Sequence, residues 1–181
     1  MPHITLPDGL PGILGLLAYR PETARPLNEL AEALLVGPSP LGRAERELIA
    51  VHVSRGNDCD FCALSHGAVA RQLLGDSEEA EAPLETPPSH KLRCLLAVAE
   101  AVRLGGKSLT DAQVAAARAA GASDLELHDT VLIAAAFCMF NRYVDGLATT
   151  TPQGARAYAG IGKLLAERGY LAAFASSLAR S

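Results

Sequence analysis

Apolar residues in this chain recur three and four apart, and no convincing stretch alternates apolar and polar with a period of two. The first spacing gathers side chains on one face of a helix, whereas a half-buried strand needs the second. Composition agrees. Of 181 residues, 33 are alanine and 28 leucine, and there is no Trp. Alanine and leucine lead the helix scale, while strands favour β-branched and aromatic residues. An all-α fold is expected.

The breaks between apolar stripes predict helices over 11–20, 22–36 and 43–55. A fourth starts from a cap at Asn57 or Asp58, with Cys59 in its first turn, and runs to about Leu74. Further helices are predicted over 91–104, 110–121, 123 to about 147, 151–168 and 170–179. Gly37-Pro38, Gly56, Gly75, Gly105-Gly106, Gly121 and Gly169 supply the stops. Thr110 to Gln113 and Ser123 to Glu126 have the form of capping boxes. Asp76 to Ser89, rich in Glu and Pro, reads as an acidic surface connection. No linker or repeat divides the chain, so a single domain over 1–181 with eight or nine helices is expected. Its core would lie at about 22–150, leaving the helices of 151–181 for packing or contacts between subunits. The alanine-rich helices suit such close packing.

Several function classes are disfavoured at once. A net charge of −4 offers no basic face for nucleic acid. The longest strongly apolar run, Thr130 to Phe140, is too short to span a bilayer. The N-terminus lacks the basic and apolar regions of a signal peptide, so a cytoplasmic protein is expected. Four cysteines in such a chain are not a secreted disulfide scaffold.

Two of the four, Cys59 and Cys62, form a CxxC beside a helix start. A thiolate in a first helical turn faces unpaired N–H groups and the positive end of the helix dipole, which lowers a cysteine pKa. That argument favours Cys59 as the more acidic thiol. At i and i+3 the sulfurs can close a disulfide. His66 stands four residues after Cys62, on the same face, where an imidazole can take or return the thiol proton. This second argument favours Cys62. Glu47 lies on the preceding helix, and a turn at Gly56-Asn57 would fold it back to orient His66. Two plainer readings stand beside the redox one. The pair could be half of a zinc site, though no second CxxC or HxxxH completes it. It could also be two inert core cysteines. A haem attachment is excluded because no histidine directly follows Cys62.

The order Glu47, then Cys59-x-x-Cys62-x-x-x-His66, resembles the alkylhydroperoxidase D-like (AhpD-like) family of the carboxymuconolactone decarboxylase superfamily. Arg46-Glu47-Leu48-Ile49-Ala50, Asn57-x-Cys59-x-Phe61-Cys62 and Phe137-x-x-x-Asn141-Arg142-x-x-Asp145 resemble its peroxidase-related branch. The resemblance spans roughly Leu6 to Leu147. It implies an all-α helical bundle, homo-oligomers (dimers, trimers or hexamers), and a thiol-dependent peroxidase or disulfide reductase. It implies Cys62 as the attacking thiol, Cys59 as the resolving one, and His66 with Glu47 as a proton relay. It also implies a hydroperoxide substrate, a lipoyl- or thioredoxin-type dithiol reductant, and no flavin, haem, nicotinamide or metal cofactor. Some members carry a histidine just before the second cysteine, where this chain has Phe61.

Two rivals remain. In one, Glu47 and His66 perform acid/base chemistry on a carbonyl or lactone, as a decarboxylase would. In the other, the chain is a non-enzymatic redox-sensing assembly. Residues outside the motif are read as structural. His52 lies about 140° from Glu47 around its helix, His128 belongs to packing or surface, and Ser65 has no assigned role. Cys94 and Cys138 are expected as buried small hydrophobes, and Arg142 with Asp145 as a helix salt bridge.

Overall fold

The computed structural model describes residues 1–75 and 89–178, with side chains to 173. Eight α-helices and two 3-10 turns make up its regular structure, and no strand occurs among the described residues. They are α1 (Ile13–Tyr19), α2 (Pro21–Leu35), α3 (Arg43–Gly56), α4 (Asp60–Leu74), α5 (His90–Leu104), α6 (Asp111–Ala119), α7 (Asp124–Gly146) and α8 (Ala159–Leu178). The expected all-α bundle is therefore found. The acidic stretch lies, but for Ser89, outside the described residues.

Local chemistry sets most boundaries. Thr110 Oγ1 accepts from Gln113 N while Gln113 Oε1 accepts from Thr110 N, so α6 opens on a reciprocal box. Ser123 and Glu126 do the same for α7. Gly75 closes α4 in the left-handed region, at φ 74°.

Three helix limits depart from expectation. Helix α1 starts at Ile13 rather than at Pro11, because Gly12 sits at φ 56° and bonds to Thr150 O. Residues 151–158 do not begin an α-helix. Gly154, at φ 81°, interrupts them, and only a 3-10 turn over Ala155–Tyr158 precedes α8. The third departure lies between α3 and α4. Gly56 is not the stop but the last helical residue, and Asp58 takes the left-handed conformation instead, at φ 56°. Asp58 N then bonds to Arg55 O and Cys59 N to Ser54 O, the paired bonds of a Schellman ending.

That ending folds α3 and α4 into a hairpin, the most extensive helix pairing among the described residues. Helix α7 crosses α3 and α5, and α8 packs on α4 and α2. The main core joins Leu35, Ile49, Val53, Leu92, Leu95 and Ile133. No helix among the described residues is long and apolar enough to cross a membrane.

Candidate active site

The Schellman ending decides where the sulfurs stand. Cys59 is the N-cap of α4, outside the helix, and Cys62 is its third residue. The expectation that Asn57 or Asp58 caps the helix is thus corrected by one to two residues, because Asp58 spends a residue on the left-handed turn. The consequence is chemical. Cys62, not Cys59, now lies in the first turn, where free N–H groups and the dipole favour a thiolate. The dipole and histidine arguments, opposed in the sequence, fall on one sulfur.

Both sulfurs are shielded, with Cys59 0% and Cys62 3% exposed. They sit in a small apolar cluster with Phe61, Ala68, Val144 and Tyr158, apart from the main core. The Phe61 and Tyr158 rings meet edge-on at 5.8 Å. A hydrogen bond to Cys62, then burial, pushes the Cys59 thiol well above the ordinary range. The same bond, received from Cys59, holds Cys62 below that range; burial opposes it, and the His66 charge and the Asn141 amide add to it.

Behind Cys62 the hairpin brings Glu47 to His66. His66 Nδ1 lies 2.7 Å from Glu47 Oε2. A carboxylate only accepts, so Nδ1 carries a proton and Nε2 is the nitrogen free to exchange one. Burial works against a charged His66, but the Glu47 charge and hydrogen bond outweigh it and raise its pKa. Glu47 is 0% exposed. Its other oxygen accepts from Tyr170 Oη at 2.8 Å, and the same hydroxyl lies 3.1 Å from His66 Nδ1. Phe137 stands edge-on to the imidazole at 4.6 Å. The four residues singled out in the sequence therefore meet, joined by Tyr170, which was not singled out. It comes from the C-terminal region, expected only to pack or to contact other subunits.

Helix α7 supplies the opposite wall. Asn141 Oδ1 accepts from Asn57 Nδ2 at 2.9 Å, and Asn141 Nδ2 donates to Ser54 Oγ at 3.0 Å. The expected Arg142–Asp145 pair is not what forms. Arg142 donates to Cys138 O at 2.9 Å, and Asp145 turns to the Cys59 thiol. The reason is position, because Asp145 projects at the end of α7 where the α4 cap arrives. Cys94 and Cys138 are half-buried rather than buried. His52 lies apart from the Glu47–His66 pair, 3.5 Å from Glu100 Oε2 and kept neutral chiefly by burial. His128 is exposed beside Asp129. Ser65 is buried, and its hydroxyl finds no hydrogen-bond partner among the described residues. Among the described residues no group of three His, Cys, Asp or Glu is disposed to hold a metal ion.

Comparison with known proteins agrees with this architecture. The model of the carboxymuconolactone decarboxylase family matches residues 21–85. An uncharacterized peroxidase-related protein from Silicibacter sp. TM1040 shares 27% identity, over 88% of this chain and 94% of its own, with a TM-score of 0.72. The alkylhydroperoxidase AhpD core of an uncharacterized peroxidase-related protein from Ralstonia eutropha JMP134 shares 26%, over 82% and 80%, with a TM-score of 0.64. A protein of unknown function from Agrobacterium tumefaciens, 22% identical over 79% of this chain and 99% of its own, shares the fold at a TM-score of 0.63. No curated protein matches the chain.

Proposed function

We infer that the chain is a member of the AhpD-like and carboxymuconolactone decarboxylase superfamily, and from that premise we propose that it is a thiol-dependent peroxidase. The observation that carries the reading is Cys62 in the first turn of α4, its thiol held low, with the Glu47–His66 pair behind it. The Cys62 thiolate attacks the terminal oxygen of a hydroperoxide and breaks the O–O bond. The sulfur becomes a sulfenic acid, and a proton delivered by His66 lets the other fragment leave as an alcohol. The Cys59 thiol then attacks the sulfenic sulfur, forming the Cys59–Cys62 disulfide and releasing water. An external dithiol, of lipoyl or thioredoxin type, restores both thiols and is itself oxidised to a disulfide. A reducing cytoplasm suits that cycle.

The acid/base alternative fares worse, because Glu47 has both oxygens occupied and no face toward a substrate. The test is hydroperoxide consumption with dihydrolipoamide, wild type against Cys62→Ser. Turnover confined to the wild type supports the reading, and equal rates remove it. We also take the protein to be a homo-oligomer. Leu125, Leu132 and Met139 lie exposed at seven-residue spacing on α7, a stripe that a second copy would cover. Light scattering of Leu132→Glu against wild type reports it, and a monomeric wild type ends the idea.

A further inference from the structure

Next to the relay, α8 breaks and restarts. At Gly169 the backbone takes φ 76° and ψ −178°, a conformation open to glycine. A Cβ there would meet the Glu32 carboxylate at 2.7 Å. Both raw ends of the break are capped from other helices. Arg43 donates to Ala166 O at 2.9 Å and to Leu165 O at 3.2 Å, serving carbonyls left without helical partners. Glu32 Oε2 accepts from Tyr170 N at 2.6 Å and Leu171 N at 3.2 Å, at the restarted N-terminus where a carboxylate is favoured. The side chain fixed by these two caps is Tyr170. Its ring lies nearly parallel to that of His66, with centroids 5.9 Å apart and planes at 18°.

The geometry points to Tyr170 as a positioning residue for Cys62: its hydroxyl holds the Glu47 carboxylate turned toward His66, so that the imidazole stands fixed behind the sulfur. The inference rests on the thiol reading and reaches past it, because it places control of the thiol in the C-terminal helix. A carboxylate as buried as that of Glu47 needs a hydrogen-bond donor at each oxygen. His66 serves one oxygen and Tyr170 the other. Without the hydroxyl, the Glu47 carboxylate is free to turn from His66, burial then outweighs what Glu47 contributes, and the imidazole becomes neutral. Cys62 then loses a neighbouring positive charge and ionises only at higher pH. The phenol itself stays protonated, since burial first and the Glu47 charge next hold its pKa well above the ordinary value.

Tyr170→Phe tests this, because it keeps the ring and its stacking and removes only the donor. The measurement is the rate of iodoacetamide labelling of Cys62 against pH, read by peptide mass spectrometry on the reduced full-length protein. The midpoint moves up by about one pH unit, leaving about tenfold less thiolate below it, while the circular dichroism spectrum is unchanged. In a Glu47→Gln background, adding Tyr170→Phe moves the midpoint no further. An unmoved midpoint in the single variant overturns the inference, and so does a full shift in the Glu47→Gln background. Labelling needs neither peroxide nor reductant, so its outcome is separate from that of the peroxidase reading. A protein that shows the shift yet consumes no hydroperoxide keeps the role of Tyr170 and loses the peroxidase.

Discussion

The two pairs of cysteines differ in the opposite sense from what exposure would suggest. Cys59 and Cys62 are the more buried, whereas Cys94 and Cys138 are half open to solvent. Yet the buried pair faces each other, His66 and Asp145. The half-open sulfurs meet far less. Cys94 has His90 Nε2 at 4.0 Å, and Cys138 has the Asn57 amide at 3.6 Å and Arg103 O at 3.9 Å. Place on the helix separates them as well. Cys62 is the third residue of α4, whereas Cys94 and Cys138 lie within α5 and α7, where the backbone N–H groups are already spent. A thiol is made reactive by the groups and backbone ends it faces, not by access to water alone.

Serine substitutions break the comparison most directly. Cys62→Ser should drop hydroperoxide turnover to the uncatalysed background, whereas Cys94→Ser and Cys138→Ser leave it unchanged in the same coupled assay. If either of the latter abolished turnover, the division into an active and a silent pair would be wrong. Cys59→Ser should keep one turnover and lose the rest, leaving a sulfenic acid on Cys62 that dimedone traps. Failure to trap it would remove Cys59 from the resolving role.

Glu47→Gln should slow peroxide reduction by about a hundredfold, the scale of a lost proton relay. The same variant carries a pH signature in stability. Glu47 raises the His66 pKa in the folded protein against the effect of burial. A raised pKa adds stability that is whole below the unfolded value of about 6.5 and is lost as pH rises through the folded value. Wild type should therefore lose more melting temperature than Glu47→Gln between about pH 6 and about pH 9, with each kcal/mol worth about 2–4 °C in a chain of this size. Parallel curves would mean that the pair contributes nothing to folding. The smallest effect is at the turn. Asp58→Gly suits φ 56° at least as well as Asp does and should leave stability within about 1 kcal/mol. A large loss in a denaturant melt would show that the Asp58 side chain, and not its backbone, holds the turn.

The sequence made legible whatever local chemistry controls. Ser123 with Glu126 and Thr110 with Gln113 announce their helices because the capping bonds span only three residues. The meeting of Glu47 and His66 was also within reach, since one short turn joins their helices. The position of Cys59 was not, because a left-handed aspartate leaves no signature beside a glycine that looks like the obvious stop. Nor was Tyr170. It lies 123 residues from Glu47 along the chain, and a lone tyrosine in an amphipathic helix is ordinarily core. Gly169 announced a break, but only the packing of α2 and α3 against α8 shows what the break is for.

That left-handed aspartate has one more implication. Electrons pass through a dithiol in a direction, and on the present reading oxygen arrives at Cys62 and the reductant's electrons follow. That order would depend on α4 starting after Cys59. A β-branched residue at Asp58 would resist the left-handed basin and cost about 1–2 kcal/mol. If the helix restarted one residue early, Cys59 would become its first residue and Cys62 its fourth. On that reading, the division of labour between attack and resolution would then be open to reversal by a change that touches neither sulfur, and the polarity of the proposed redox pair would be written in the handedness of the residue before it.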